Sequence, residues 1–140
     1  RSGFAVGDEK IIYEYKKLRQ YCAGQQPIPI QEAAATLWND DVHAEKNRLK
    51  YIKKFEIAKN IFGKKFDFYI PNGGFYLWLN VGNGEKVAKL LWHKKGIKVM
   101  PGAYLSTLKN SKKYIRIALV TNIKETKFAL QKIYNLLDKT

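Results

Sequence analysis

The sequence has little of several things that would declare a function at once. It holds one cysteine, Cys22, so neither an internal disulfide nor a multi-cysteine metal cluster can form. Its two histidines, His43 and His93, lie far apart and lack a ligand partner at i, i+4 spacing, so no metal site is expected. No run approaches the roughly eighteen apolar residues a membrane helix needs, and no charged-then-apolar leader opens the chain. The expectation is a soluble, cytoplasmic protein in a reducing compartment, with no membrane partner. Acidic residues are scarce too, at 12 against 26 lysines and arginines in 140 residues, which leaves a net charge of +14.

Such an excess raises the idea of a basic interaction or nucleic-acid-binding module. The lysines, however, are spread along the chain, at 16–17, 53–54, 64–65, 94–95 and 112–113, as on a solvated face. They also far outnumber the arginines, the residues suited to bidentate base and phosphate recognition. Nucleic acid is therefore not the expected partner. At 46% hydrophobic residues the chain has enough apolar side chain for a core.

Along the chain, "RSGFAVGD" predicts a short strand ending at Asp8, which can cap a helix from Glu9 to about Tyr21 with Ile11, Ile12, Tyr15 and Leu18 at helical spacing. "AGQQPIP" breaks the chain and "IQEAAATLW" resumes as helix. Asp40 or Asp41 can cap a long helix, about twenty residues and roughly 30 Å, in which Leu49, Ile52, Phe55, Ala58 and Phe62 form one stripe before Gly63 stops it. From Phe66 the rhythm shifts to period 2. "FDFYI" and "FYLWLNV" predict strands joined by "PNGG", "EKVAKLLWHKK" a helix closed by Gly96, and "IKVM" a strand before the long loop "PGAYLSTLKNSK". "YIRIALV" is the last strand, and a helix capped by Asn122, burying Phe128, Ala129, Ile133, Leu136 and Leu137, ends the chain. Residues 66–140 thus read as ββαββα, a small two-layer α/β domain.

Chemical signals are few. "LWLNVGNGEKVAKLL" has the strand, turn and helix of a dinucleotide site, but Val87 stands where the third glycine of G-x-G-x-x-G belongs, so a tight βα turn is expected. Tyr76 and Trp78 alternate with Phe75, Leu77 and Leu79, the pattern of a strand buried on both faces. Ser106 has no base beside it in sequence to make it a nucleophile. Arg116 is the exception. Strand alternation puts it on one face with Tyr114, Ala118 and Val120, opposite Ile115, Ile117 and Leu119. A guanidinium on an inner strand needs a carboxylate of the protein or an anionic ligand.

Four segments carry a family resemblance in the right order: "RSGFAVGD", "GGFYLWLNV", "GIKVMPGAYLS" and "YIRIALV". Over its whole length the chain resembles the C-terminal third of a class I, fold-type I pyridoxal-phosphate aminotransferase of the aspartate aminotransferase type. Within that family, "YCAGQQPIPIQEAAATLWNDDVHAEKNR", "GGFYLWLNV" and "MPGAYLS" are most similar to the bacterial N-succinyldiaminopimelate aminotransferases. The resemblance implies transfer of an amino group between glutamate and N-succinyl-2-amino-6-ketopimelate, in diaminopimelate and lysine biosynthesis. An aspartate or broad-specificity aminotransferase is the near alternative. It further implies pyridoxal 5'-phosphate as cofactor, Arg1 as the grip on its phosphate, Arg116 as the clamp on the substrate carboxylate, and Tyr76 and Tyr104 beside the substrate. The Schiff-base lysine would lie upstream of Arg1. The chain alone is therefore expected to be inactive and to need a missing N-terminal part and, when complete, a homodimer. The implied organisation is an edge of the large cofactor domain (1–35), a linking helix (36–65) and the small domain (66–140).

Overall fold

In a computed structural model, the structure describes residues 2–22, 24–66, 68 and 70–139. The chain divides into two compact units, Arg1–Glu45 and Lys46–Thr140. In the first, α1 (Glu9–Cys22) starts where the Asp8 carboxylate accepts from the amides of Lys10 and Ile11, as the capping residue in the sequence predicts. The segment before it is not a strand at residues 2–8. α2 (Ile28–Trp38) begins directly after Pro27, with Pro29 in its first turn, where a missing amide costs nothing. The Phe4 and Trp38 rings meet edge to face at 5.4 Å. No residue of α1 or α2 is buried: Ile11, Leu18, Ile28 and Leu37 all stay exposed.

α3 (Asp41–Phe62) is capped by Asp40, whose carboxylate accepts from the His43 amide and faces the His43 ring at 3.1 Å. That amide is the main reason the Asp40 carboxyl titrates below the usual range. Along the predicted stripe only Phe55, Ala58 and Phe62 are buried, while Leu49 and Ile52 remain exposed.

The second unit is built on a three-stranded antiparallel sheet in the order β1-β3-β2, with β1 Tyr76–Asn80, β2 Met100–Pro101 and β3 Tyr114–Ala118. α4 (Gly84–Lys95) is capped by Asn83 at its start and by Gly96 (φ 64°) at its end. α5 (Ile123–Leu137) is capped by Asn122, which accepts from the Glu125 amide. One sheet face and three helices close the core: Phe55, Ala58 and Phe62 from α3, Leu77 and Leu79 from β1, Val87 and Leu91 from α4, Ile115 and Ile117 from β3, Leu130 and Ile133 from α5. Each of the Val, Leu, Ile and Phe side chains among them contributes about 1.5–3 kcal/mol when fully buried. Burial on α5 follows Thr126, Leu130 and Ile133 at i, i+4, i+7, so Phe128 faces solvent rather than the core.

The α/β class stands, while two expected strands shrink or fail for identifiable reasons. Phe66, Phe68 and Ile70 are not in a strand among the described residues, so the sequence ββαββα reads βαββα in what is described. The Phe66 amide instead continues the end of α3, donating to the Phe62 carbonyl at 2.9 Å, and the Phe66 and Phe68 rings pack against Phe62. In "IKVM", the Ile97 amide is spent on the Leu91 carbonyl at the end of α4, so pairing begins only at Met100. Pro101 then has no amide to extend the ladder.

The predicted loop 101–112 is largely wound into two 3₁₀ turns, Gly102–Tyr104 and Lys109–Lys113. Gly102 is required there. A Cβ at this position would run into the Ser111 carbonyl oxygen, the Tyr114 carbonyl oxygen and the Trp78 indole. Lys54 departs from the solvated-face expectation: it is buried, donates to the Leu119 carbonyl at 2.6 Å and lies 4.6 Å from the Tyr51 ring centre. Burial, helped by repulsion from Lys50, holds its ammonium below the usual lysine range.

Candidate active site

The second face of the sheet, away from the core, carries the candidate site. Alternation along β1 and β3 sends Leu77, Leu79, Ile115 and Ile117 inward and leaves Tyr76, Trp78, Tyr114 and Arg116 on the other side. The register pairs Trp78 with Arg116 and Asn80 with Tyr114, and Met100 of β2 meets Arg116 from its other side. β1 is therefore buried on one face, not on both. Tyr76 is 41% exposed and Trp78 is half-buried.

Arg116 sits on the central strand of the sheet, as its sequence context predicts, and is half-buried rather than enclosed. Its guanidinium lies 5.3 Å from the centre of the Tyr76 ring, a cation–π distance. Among the described residues no carboxylate forms an ion pair with it. A planar cation on an aromatic floor, open on one side and without an internal anion, is suited to receive a carboxylate through two parallel N–H bonds. Beside it the Trp78 and Tyr114 rings stack at 5.5 Å with 13° between their planes.

Tyr104, expected beside the substrate, closes the 3₁₀ turn Gly102–Tyr104 that follows β2. With Glu85 at the start of α4 it lines a shallow cavity of about 350 Å³, together with Lys89, Trp92 and His93. The carboxylate stabilises the neutral phenol and repels the phenolate, so Tyr104 titrates above the usual tyrosine range. Replacing Glu85 by Gln is expected to bring the Tyr104 titration back down, followed by phenolate absorbance or by ring resonances against pH; an unmoved curve would remove Glu85 as the cause. Ser106 accepts a hydrogen bond from the Leu108 amide and serves the loop. Arg1, the expected phosphate grip, lies outside the described residues. Among those residues no group of three or more His, Cys, Asp or Glu could hold a metal ion, and no helix is long and apolar enough to cross a membrane.

Sequence reading brought out Arg116 and Tyr76 but assigned Trp78 to the core. The signal that places Trp78 correctly was available, since it shares the parity of Tyr76 on β1. What could not be read was the strand register that sets it opposite Arg116.

No family model matches the chain. It is similar to the LL-diaminopimelate aminotransferase of Natranaerobius thermophilus, with 32% identity over 95% of this chain and 35% of that protein. Among solved structures, it is similar to an aminotransferase from Neisseria meningitidis (33% identity, TM-score 0.81, 94% of this chain and 35% of that one). It is likewise similar to the aminotransferase AspB from Helicobacter pylori (32% identity, TM-score 0.83, 96% and 35%). The α/β fold thus matches the C-terminal part of aminotransferase structures. The chain spans 28–38% of the length of the curated relatives it matches.

Proposed function

We propose that this chain is the C-terminal segment of a pyridoxal-phosphate-dependent aminotransferase and supplies the clamp for the substrate carboxylate. The observation that carries this reading is Arg116, held against the Tyr76 ring on the central strand with no ion-pair partner among the described residues. The similarity to named aminotransferases along nearly the whole chain supports it. So do the uncovered apolar side chains of α1 and α2, which a free-standing domain would bury.

In this reading residues 1–35 complete a large cofactor domain, 36–65 form the linking helix and 66–140 the small domain of a homodimeric enzyme. The amino donor is glutamate and the acceptor N-succinyl-2-amino-6-ketopimelate. The diaminopimelate substrate named for the Natranaerobius relative supports a long substrate on a pimelate backbone over the small dicarboxylates of an aspartate aminotransferase.

The cofactor fits this chain only in part. Arg1 is the one residue assigned to its phosphate and lies outside the described residues, and the resemblance places the Schiff-base lysine upstream. The described residues therefore do not make a cofactor site, and no chemical step is assigned to them. Their work is to bind and orient: Arg116 fixes the carboxylate, Tyr76 steadies the guanidinium plane, and Trp78 with Tyr114 walls the same face.

The test is an assay of the intact polypeptide in which this segment resides, recognised by an antibody against residues 46–140 as a band well above the mass of 140 residues. It is expected to convert glutamate to 2-oxoglutarate with the succinylated keto acid, while the isolated chain does not. Activity with oxaloacetate alone would move the substrate assignment to the aspartate type. No amino transfer with any keto acid would end the proposal.

A further inference from the structure

We infer that Trp78 is the positioning residue that directs Arg116 toward Tyr76; the inference rests on the reading of Arg116 as a carboxylate clamp. Directly paired residues on antiparallel strands leave the sheet side by side, with Cβ atoms about 4.5–5.5 Å apart. The Trp78 and Arg116 side chains therefore compete for the same strip of surface. The indole is held toward the Tyr114 end of that strip. Its ring stacks on Tyr114, and its Cη2 edge lies 3.0 Å from where a Gly102 Cβ would stand. Gly102 in turn is buried, with its backbone set against the Ser111 carbonyl oxygen.

With the Tyr114 end of the strip filled, the guanidinium takes the other end, where the Tyr76 ring receives it at 5.3 Å. A flexible cation is thus presented in one direction before any ligand arrives, which spares a carboxylate the ordering cost of selecting that direction. The arrangement also accounts for a tryptophan on a face that is not core. A smaller apolar residue would satisfy the strand but leave Arg116 free to swing toward Asn80 and Tyr114.

The experiment compares Trp78→Ala, Trp78→Leu and Trp78→Phe, with Arg116→Ala as reference. In the intact enzyme Trp78→Ala and Trp78→Leu are expected to raise the KM for the amino-acid substrate about tenfold with kcat within about threefold. Trp78→Phe, which can still stack on Tyr114, is expected to recover most of the loss. In the 140-residue chain, the nuclear Overhauser contact between the Arg116 side chain and the Tyr76 ring should vanish in the Leu variant and persist in the Phe variant. Should the Ala variant fail to fold, the Leu and Phe variants decide alone.

An Arg116–Tyr76 contact that survives in Trp78→Leu overturns the inference, as does an unchanged KM in that variant while Arg116→Ala raises it. If Arg116→Ala itself leaves KM unchanged, the clamp reading fails. The contact measurement then still decides what Trp78 does for Arg116.

Discussion

Replacing Arg116 by lysine is expected to raise the KM for the amino-acid substrate of the intact enzyme about a hundredfold, and replacement by alanine further still. The physical reason lies in geometry more than in charge. Lysine keeps the positive charge but brings a rounded ammonium where a planar fork lies against Tyr76, so it offers one N–H direction to a carboxylate that needs two. Truncating one partner of a partly desolvated, hydrogen-bonded charge pair costs about 2–5 kcal/mol, and each 1.4 kcal/mol is about tenfold. Folding should hardly notice either change. Arg116 is half-buried on the face away from the core, and its removal orphans no carboxylate among the described residues. A tenfold or smaller rise in KM for the alanine variant, or a parallel collapse of thermal stability, would show that Arg116 is not the clamp.

Phe62→Ala is expected to cost the second unit about 3–5 kcal/mol. At about 4–8 °C per kcal/mol for a domain of this size, its melting temperature should fall by well over 10 °C, read by calorimetry or circular dichroism. Phe62 is fully buried at the end of α3 and meets the rings of Phe66, Phe68 and Tyr134 at 5.7, 6.1 and 6.2 Å. Its loss therefore leaves a cavity and also releases the segment that follows α3, which is anchored by rings rather than by a ladder. A loss below about 1 kcal/mol would mean that α5 and the 66–68 segment collapse into the space left behind.

Local chemistry was legible wherever a residue acts on its near neighbours. Asp8 and Asn122 cap helices because their short carboxylate or amide side chains reach amides two or three residues on. Gly96 ends α4 because it alone there adopts a left-handed φ without cost. The alternation of β1 and β3 predicted which side chains share a face. What was not legible depends on distant partners. Nothing in "FDFYI" says that the Phe66 amide will be used by the Phe62 carbonyl, nor in "IKVM" that the Ile97 amide will be used by Leu91. The burial of Lys54 needs a carbonyl 65 residues away. For the site, Arg116 was legible from its own strand, whereas its approach to Tyr76 and the wedge at Trp78 follow from a register between strands that are separated by a helix and a long loop.

The strand order β1-β3-β2 leaves the outer side of β1 without a partner strand among the described residues. "YLWLN" there is aromatic and uncharged, so apart from its shortness little in its own side chains opposes a second copy adding itself as a further strand. The side chains of β1 carry no lysine or proline to discourage this, so the discouragement falls to the net charge of +14, which sets copies against one another at a distance. That repulsion reaches only about 8 Å at physiological ionic strength. The isolated chain is therefore expected to stay dispersed in dilute buffer and to scatter more light as added salt screens its lysines.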